Sequence, residues 1–263
     1  MTASVDGSAP QSDRPKSLVP AVSSAVRIIN YIMAVGDGAG VSEVATALSI
    51  NKSTCFNILN TLTSFQVLSK DTRHAVYRLG PLLVEWGAGS RRQFSGRAVI
   101  LDRVNALVND VDVTCIVGQV LADDRGIVVV DRVVPHRDKV ATQAIGRVIP
   151  LSGPAMGRLA LAYREESEAL ETARRLGMVA QGRDEDLLQA LAQIRRRGYA
   201  TSVGEYSPDT NAVAAAVIRG NSQVTAILCV IGYAADLPAQ DLPRLGERLV
   251  RLTRELSGQD LVF

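Results

Sequence analysis

Apolar residues recur at helical spacing through the first third of the chain, and from about residue 113 they gather into short alternating or continuous runs. The pattern predicts a helical part followed by a mixed helix and strand part. Val22, Val26, Ile29 and Met33 form one stripe over Ala21 to Val35, a helix that the cluster Gly36-Asp37-Gly38-Ala39-Gly40 ends. Ser42 suits an N-cap, and Val44, Ala45 and Leu48 give the inward face of a short helix from Glu43 to Leu48. After the turn Ser49-Ile50-Asn51, the residues Cys55, Ile58, Leu59, Leu62 and Phe65 fall at i, i+3, i+4, i+7 and i+10, the apolar stripe of a third helix. Two β-rich runs, Val67 to Lys70 and Ala75 to Leu79, flank the polar turn Asp71-Thr72-Arg73-His74 and read as a hairpin. Three helices, two of them joined by a tight turn, and then a hairpin make a winged helix-turn-helix.

Pro81 to Arg92 reads as a proline-opened helix with Leu82, Leu83 and Trp86 apolar, placed to join two domains. Val99, Val104, Leu107 and Val108 predict another helix. Val113 to Leu121 and Ile127 to Val134, around Asp123-Asp124-Arg125-Gly126, predict a β-hairpin with one buried face. Val140 to Ile149 is expected to be a strand and Pro154 to Tyr163 a helix, with surface helices over 165 to 176 and 184 to 197 ended by Gly177 and Gly198. Ala212 to Ile218 and Gln223 to Ile231 predict a second hairpin. Leu242, Leu245, Leu249, Leu252 and Leu256 then predict a last helix packed on the sheet. Residues 1 to 17 have almost no large apolar side chain to offset the entropy of ordering and are expected to be disordered.

Composition narrows the class. A chain of 263 residues with 47% hydrophobic and 21% charged residues fits two globular domains. No signal peptide and no apolar run of membrane-spanning length is present, so a cytoplasmic location with no membrane partner is expected. Cys55, Cys115 and Cys229 are far apart and set among apolar neighbours, which predicts buried thiols. With only His74 and His136 as imidazoles, no metal or other cofactor is expected. The formal charge of +2 is unevenly placed: residues 1 to 92 hold nine Lys/Arg against six Asp/Glu, a net of +3, and residues 93 to 263 hold the other twenty against twenty-one.

The third helix is where chemistry is legible. Its outward residues Ser53, Phe56, Asn57, Asn60 and Ser64 include no acid, and Lys52 and Thr54 stand in the first turn where side chains and amides meet a phosphate. Asn57 and Asn60 each have the fork that binds adenine, and Phe56 can cover a thymine methyl, which predicts an A/T-containing half-site. Ser42 from the preceding helix and Lys70, Arg73 and Arg78 from the hairpin are expected to touch the DNA backbone or a minor groove. Arg195-Arg196-Arg197 could be a phosphate patch, but cations at a helix C-terminus are the plainer reading.

Val41-Ser42-Glu43-Val44-Ala45, Lys52-Ser53-Thr54, Leu59, Leu62 and Tyr77-Arg78-Leu79-Gly80 resemble the winged helix of the IclR family of bacterial transcription regulators. The resemblance continues through Gly146-Arg147-Val148-Ile149-Pro150-Leu151, Gly157-Arg158-Leu159-Ala160-Leu161-Ala162, Gly198-Tyr199, Glu205 and Ala214-Ala215. It implies an α+β chain: a winged helix-turn-helix domain over 18 to 80, a linker helix over 81 to 95, and a GAF-like α/β effector-binding domain over 96 to 263. It also implies a homodimer or homotetramer on operator DNA, a repressor by expectation, controlled by a small organic or aromatic acid. Relatives often have a basic residue at Asn57, His or Tyr at Phe56 and Gly at Gln66, so the operator is this chain's own.

The implied pocket lies between the sheet and the loop after Pro150. Gly153 with the amides of Ala155 and Met156 would hold a carboxylate, with Ser202, Thr210, Asn211 and Ala212 from a second loop and Cys229 and Ile231 from the final strand. Hydroxyls are common at the last two positions in relatives, and Cys and Ile there imply a ligand with a larger apolar portion. Two other classes compete. An enzyme lacks its ingredients, since Leu151-Ser152-Gly153 is no nucleophile elbow, Glu205 and Asp209 read as loop acids, and no catalytic residue is assigned. A protein-binding adaptor would not need the acid-free face of the third helix.

Overall fold

A computed structural model describes residues 18–93, 96–179, 183–220 and 223–258. The tail expected over residues 1 to 17 lies outside them. The chain divides into two compact units, Met1–Gln93 and Phe94–Phe263.

The first unit contains α1 (Pro20–Val35), α2 (Val41–Ala47), α3 (Lys52–Ser64), the antiparallel pair β1 (Leu68–Asp71) and β2 (Val76–Leu79), and α4 (Leu82–Gln93). Its core joins Ile28 and Ile32 of α1, Val44, Ala45 and Leu48, Cys55 and Leu59 of α3, and Leu68 and Tyr77 of the hairpin. The stripe expected on α1 is therefore misplaced: Ile28 and Ile32 face inward, while Val22, Val26 and Met33 are at least half exposed. Both sets share the helical period, and periodicity alone does not choose between two apolar faces. The cap of α2 also differs. Gly40, not Ser42, is the N-cap, and its amide donates to Glu43 Oε2 at 3.4 Å. On α3 the inward face is as expected except at its end, where Phe65 lies past the last turn and is 67% exposed.

The second unit contains α5 (Arg97–Val111), β3 (Thr114–Val120), β4 (Ile127–Val133), β5 (Val148–Ile149), α6 (Met156–Ala162), α7 (Glu166–Arg175), α8 (Asp184–Arg197), β6 (Tyr199–Val203), β7 (Thr210–Arg219), β8 (Gln223–Tyr233) and α9 (Leu242–Ser257). Six antiparallel strands in the order β5-β4-β3-β8-β7-β6 form its sheet. Helices cover both faces. Val213, Ala215 and Val217 with Leu228 and Val230 pack against α5 and α9, and Ala214, Ala216, Ile227 and Cys229 pack against α6 and α8. Two covered faces explain the nearly continuous apolar runs of β7 and β8.

Three elements depart from expectation. Only Val148 and Ile149 of the segment 140 to 149 are strand, paired with Val128 and Ile127, because Gly146 at φ 85 breaks the extended run. Helix α6 starts at Met156, which leaves Pro154 in the preceding turn. Tyr199–Val203 is a strand that the sequence pattern does not predict: it is only five residues long, and its edge pairing with β7 supplies what local pattern does not.

Candidate functional site

Helix α3 begins at Asn51, whose Oδ1 accepts hydrogen bonds from the Ser53 amide at 2.9 Å and the Ser53 hydroxyl at 2.7 Å. Ser53 is thus turned back onto the cap. Cys55 and Leu59, both fully buried, hold the helix to the unit's core, and the opposite face is left to solvent. Ser42, Lys52, Thr54, Phe56, Asn57 and Arg73 are exposed and make no side-chain hydrogen bond or ion pair with any other described residue. Phe56 is 44% exposed, a large apolar ring standing among polar neighbours.

Three other expected contact residues are engaged within the unit. Asn60 Oδ1 accepts from the buried Tyr77 hydroxyl at 3.2 Å, which fixes α3 to the hairpin. Arg78 donates from Nε to the Asp37 carbonyl at 3.1 Å and approaches Asp71 Oδ2 at 3.4 Å. Lys70 lies 5.5 Å over the Tyr77 ring. The hairpin turn is organised by Asp71. Its Oδ1 accepts from the Arg73 and His74 amides at 3.0 and 3.3 Å, and its Oδ2 is 2.9 Å from His74 Nδ1. The His74 side-chain bond, followed by its backbone amide, holds the Asp71 carboxyl below the usual value.

In the second unit a cavity of about 40 Å³ opens between the sheet and the loop before α6. The loop contributes Gly153, Pro154, Ala155 and Met156; the strands contribute Ile116, Ile149, Ser202, Thr210, Ala212, Cys229 and Ile231; Gln143 and Tyr206 complete the lining. Eight of the nine residues expected there come together. Asn211 does not: strand alternation turns it away, and its amide donates to the Leu237 carbonyl at 2.9 Å while its Oδ1 accepts from the Gly204 amide at 3.2 Å. Ser202 sits on β6, and Thr210, Asn211 and Ala212 sit on β7, not on a loop. Ile116, Gln143, Ile149, Pro154 and Tyr206 were not foreseen. Ile116 could have been, since it is the cross-strand partner of Cys229 once the sheet register is known.

Two close approaches shape this cavity. A Cβ on Gly157 would lie 1.9 Å from the Leu151 carbonyl, so the loop folds tightly against α6 only because that residue is glycine. A Cβ on Gly118 would meet Met156 Cε at 2.5 Å, and its absence lets the methionine reach the sheet. No lining residue is charged. Arg158, whose guanidinium reaches back to the loop, is engaged by the Pro154 carbonyl, the Thr201 carbonyl at 3.0 Å and Glu205 at 2.6 Å. Burial pushes the Cys229 thiol up to about 12, so it faces the cavity as a neutral, weakly polar group.

Elsewhere, Arg195 donates to the Ala162 and Arg164 carbonyls at 2.6 and 2.8 Å, and Arg197 donates to the Tyr199 carbonyl at 2.5 Å. Two of the three consecutive arginines thus serve helix ends and a strand rather than a phosphate. All three cysteines are free and buried. Among the described residues no helix is long and apolar enough to cross a membrane, and no group of three or more His, Cys, Asp or Glu could hold a metal.

A helix-turn-helix with a hairpin beside it, carried on the same chain as a second domain built on a helix-covered sheet, defines the class of DNA-binding regulators. The comparisons with known proteins agree. Residues 21–72 match the IclR helix-turn-helix domain and residues 97–258 match the bacterial transcriptional regulator IclR C-terminal domain. The chain belongs to the IclR family, whose members are DNA-binding transcriptional regulators and not enzymes. It is 25% identical over 248 residues to the uncharacterized HTH-type transcriptional regulator RhmR of Escherichia coli (strain K12), covering 92% of this chain and 93% of RhmR. Its fold is similar to the crystal structure of an IcIR transcriptional regulator from Alicyclobacillus acidocaldarius, with TM-score 0.77, 27% identity and coverage of 92% and 99%. It is similar also to an IclR family transcriptional regulator from Brucella abortus, with TM-score 0.80, 19% identity and 98% of both chains covered.

Proposed function

We propose that the chain is a cytoplasmic repressor that binds operator DNA as a homodimer, or a pair of homodimers, and is controlled by a small organic ligand held in the cavity beside Gly153 to Met156. The observation that carries this reading is the outward face of α3, where Lys52, Thr54, Phe56 and Asn57 are exposed, unengaged and free of acids. Asn57 and Phe56 read bases, Lys52, Thr54, Ser42 and Arg73 meet phosphates, and Asn60, Lys70 and Arg78 hold the reading face and the wing in place. On this division Asn60 has a supporting part, since its Oδ1 accepts from the Tyr77 hydroxyl. The apolar stripe left on α1 supports the homodimer, since a patch of Val22, Val26 and Met33 needs a cover.

Control follows from two-fold geometry. Half-site spacing must match the separation of two recognition helices, so a ligand that shifts the subunits through the helix at Leu82–Gln93 alters operator affinity. The repressor sense is the simpler one, because a dimer seated on a promoter excludes other proteins with no further contact surface.

Band-shift titration on a fragment of the chain's own promoter tests the reading. Affinity should fall steeply with salt, Lys52→Ala should lower the slope of log K against log salt by about 1, and Asn57→Ala should weaken the operator about tenfold with that slope unchanged. Salt-independent binding, or full affinity in Asn57→Ala, removes the assignment of this face.

A further inference from the structure

We propose that the ligand cavity continues past Ile231 to a second polar subsite at Thr114, and that it selects an ω-hydroxy acid whose carboxylate and hydroxyl oxygens are about seven bonds apart. The proposal rests on the reading of the cavity beside Gly153 to Met156 as the ligand site, and adds the far end of the ligand. Among the described residues two buried hydroxyls have no hydrogen-bond partner, Ser202 Oγ and Thr114 Oγ1, on residues 2% and 1% exposed. They are not scattered. Ser202 pairs with Ala212, Ala212 with Ile231 and Ile231 with Thr114, so the four stand in one row across β6, β7, β8 and β3. Directly paired residues of neighbouring strands point to the same face, so the two hydroxyls end one row over an apolar middle. A buried hydroxyl left unpaired costs stability, and a ligand group that reaches it relieves that cost.

Each end opens into its own cavity. Ser202 lines the one of about 40 Å³, and Thr114 lines a neighbouring one of about 10 Å³ with Arg137, Lys139, Val140 and Ala141. Ile231 borders both. One chain segment also borders both, with Val140 and Ala141 at the smaller cavity and Gln143 at the larger. Arg132 holds that segment by donating to the Thr142 hydroxyl at 3.3 Å and the Gln143 carbonyl at 3.0 Å. A rotamer change of Ile231 therefore joins the two cavities along a common wall. Their sizes assign the ends. The smaller has room for one water-sized group, which a hydroxyl fills and a carboxylate exceeds. The larger takes the acid, with Ser202, Gln143, Tyr206 and the turn before α6 to supply donors. Strand spacing then sets the length. Strands about 4.8 Å apart put the ends of the row about 14 Å apart, and a hydrogen bond of about 2.8 Å at each end leaves about 8–9 Å. Extended chain covers about 3.6 Å in three bonds, so about seven bonds join the two ligand oxygens, as in ω-hydroxyhexanoate.

Calorimetric titration of the full chain with ω-hydroxyhexanoate and heptanoate, which differ by a hydroxyl in place of a methyl, tests the proposal. Apolar burial alone favours heptanoate. The hydroxy acid should instead bind about fivefold more tightly. Thr114→Val, which replaces the hydroxyl by a methyl, should abolish or reverse that preference while holding heptanoate within about twofold of wild type, and Thr114→Ser should keep it. The shorter ω-hydroxybutyrate cannot span the row and should gain nothing over pentanoate. No preference for ω-hydroxyhexanoate, a preference that survives Thr114→Val, or adipate binding more tightly than the hydroxy acid would each overturn the proposal. Ser202→Ala separates it from the reading beneath it. If heptanoate binds and weakens about threefold in Ser202→Ala while the hydroxyl adds nothing, the cavity stands as a ligand site and the Thr114 subsite falls. If no acid of either kind binds, the ligand reading falls and the subsite with it.

Discussion

Asp124 is a buried acid that neither the DNA face nor the cavity uses, and its role is to pin the β3–β4 turn to the helices. It is 7% exposed and bridges two cations, Arg164 at 2.7 Å and Arg175 at 2.6 Å. Burial alone would raise its pKa, but the side-chain bond and charge of Arg164, joined by Arg175, outweigh burial and hold the carboxyl below its usual value. Asp124→Asn takes the shared carboxylate from Arg175 and leaves Arg164 only the more distant Glu168 at 3.5 Å, and should cost about 3 kcal/mol at neutral pH. The pH dependence has a definite sign. Because the folded carboxyl is the stronger acid, its contribution is complete above the unfolded value near 3.9 and is lost as pH falls through the folded value. Denaturant melts of wild type and Asp124→Asn should therefore run parallel from about pH 7 to pH 5 and converge below about pH 4. A gap that widens in acid would show that the ion triad does not act this way. The turn was legible in Asp123-Asp124-Arg125-Gly126, but the partners Arg164 and Arg175 stand 40 and 51 residues away and no local pattern links them. The same holds for Asn60 and Arg78. Each has the chemistry of a DNA contact, and only the tertiary placement of Tyr77 and of Asp37 shows that each also makes a bond within its own unit.

At the scale of elements, α3 and α1 show when periodicity suffices. On α3 one face is apolar and the other polar, so Cys55 and Leu59 could point only inward. Helix α1 is apolar on two faces, and its period alone does not tell them apart, because Val22, Val26 and Met33 keep it as well as Ile28 and Ile32. Such a double face has a physical meaning: one serves the unit's own core and the other requires a partner. Val22→Asp together with Val26→Asp should leave the fold intact, since both side chains are more than half exposed. If α1 pairs with its copy, light scattering should then show a dimer weakened at least about tenfold, with a parallel loss of operator affinity. An unchanged mass would place the dimer contact elsewhere. The sheet was legible in part for a related reason. β7 and β8 carry enough apolar residues to be seen as a hairpin, whereas β5 and β6 are held by pairing with their neighbours more than by their own composition.

At the scale of the molecule, the cores do not mix: one is drawn from Ile28 to Tyr77, and the other two from Ile100 to Leu256 on the two faces of the sheet. That separation lets one unit be weakened while the other reports. Leu59 is fully buried at the centre of the smaller core, and Leu59→Ala removes apolar contact and leaves a cavity, at a cost of roughly 2–5 kcal/mol. For a unit of this size, several kcal/mol is a large share of a total on the order of 5–10 kcal/mol. Calorimetry of the variant should show the transition of the smaller unit moved down by well over 10 °C or lost, with the transition of the 97–258 unit in place. Ligand binding at the cavity should be unchanged, because no lining residue belongs to the smaller unit. Operator binding should disappear, since the face of α3 is held in place by the core that Leu59 anchors. If instead both transitions fall together, the two units unfold as one cooperative body, and the ligand and DNA sites share stability directly rather than communicating only through a change in subunit placement.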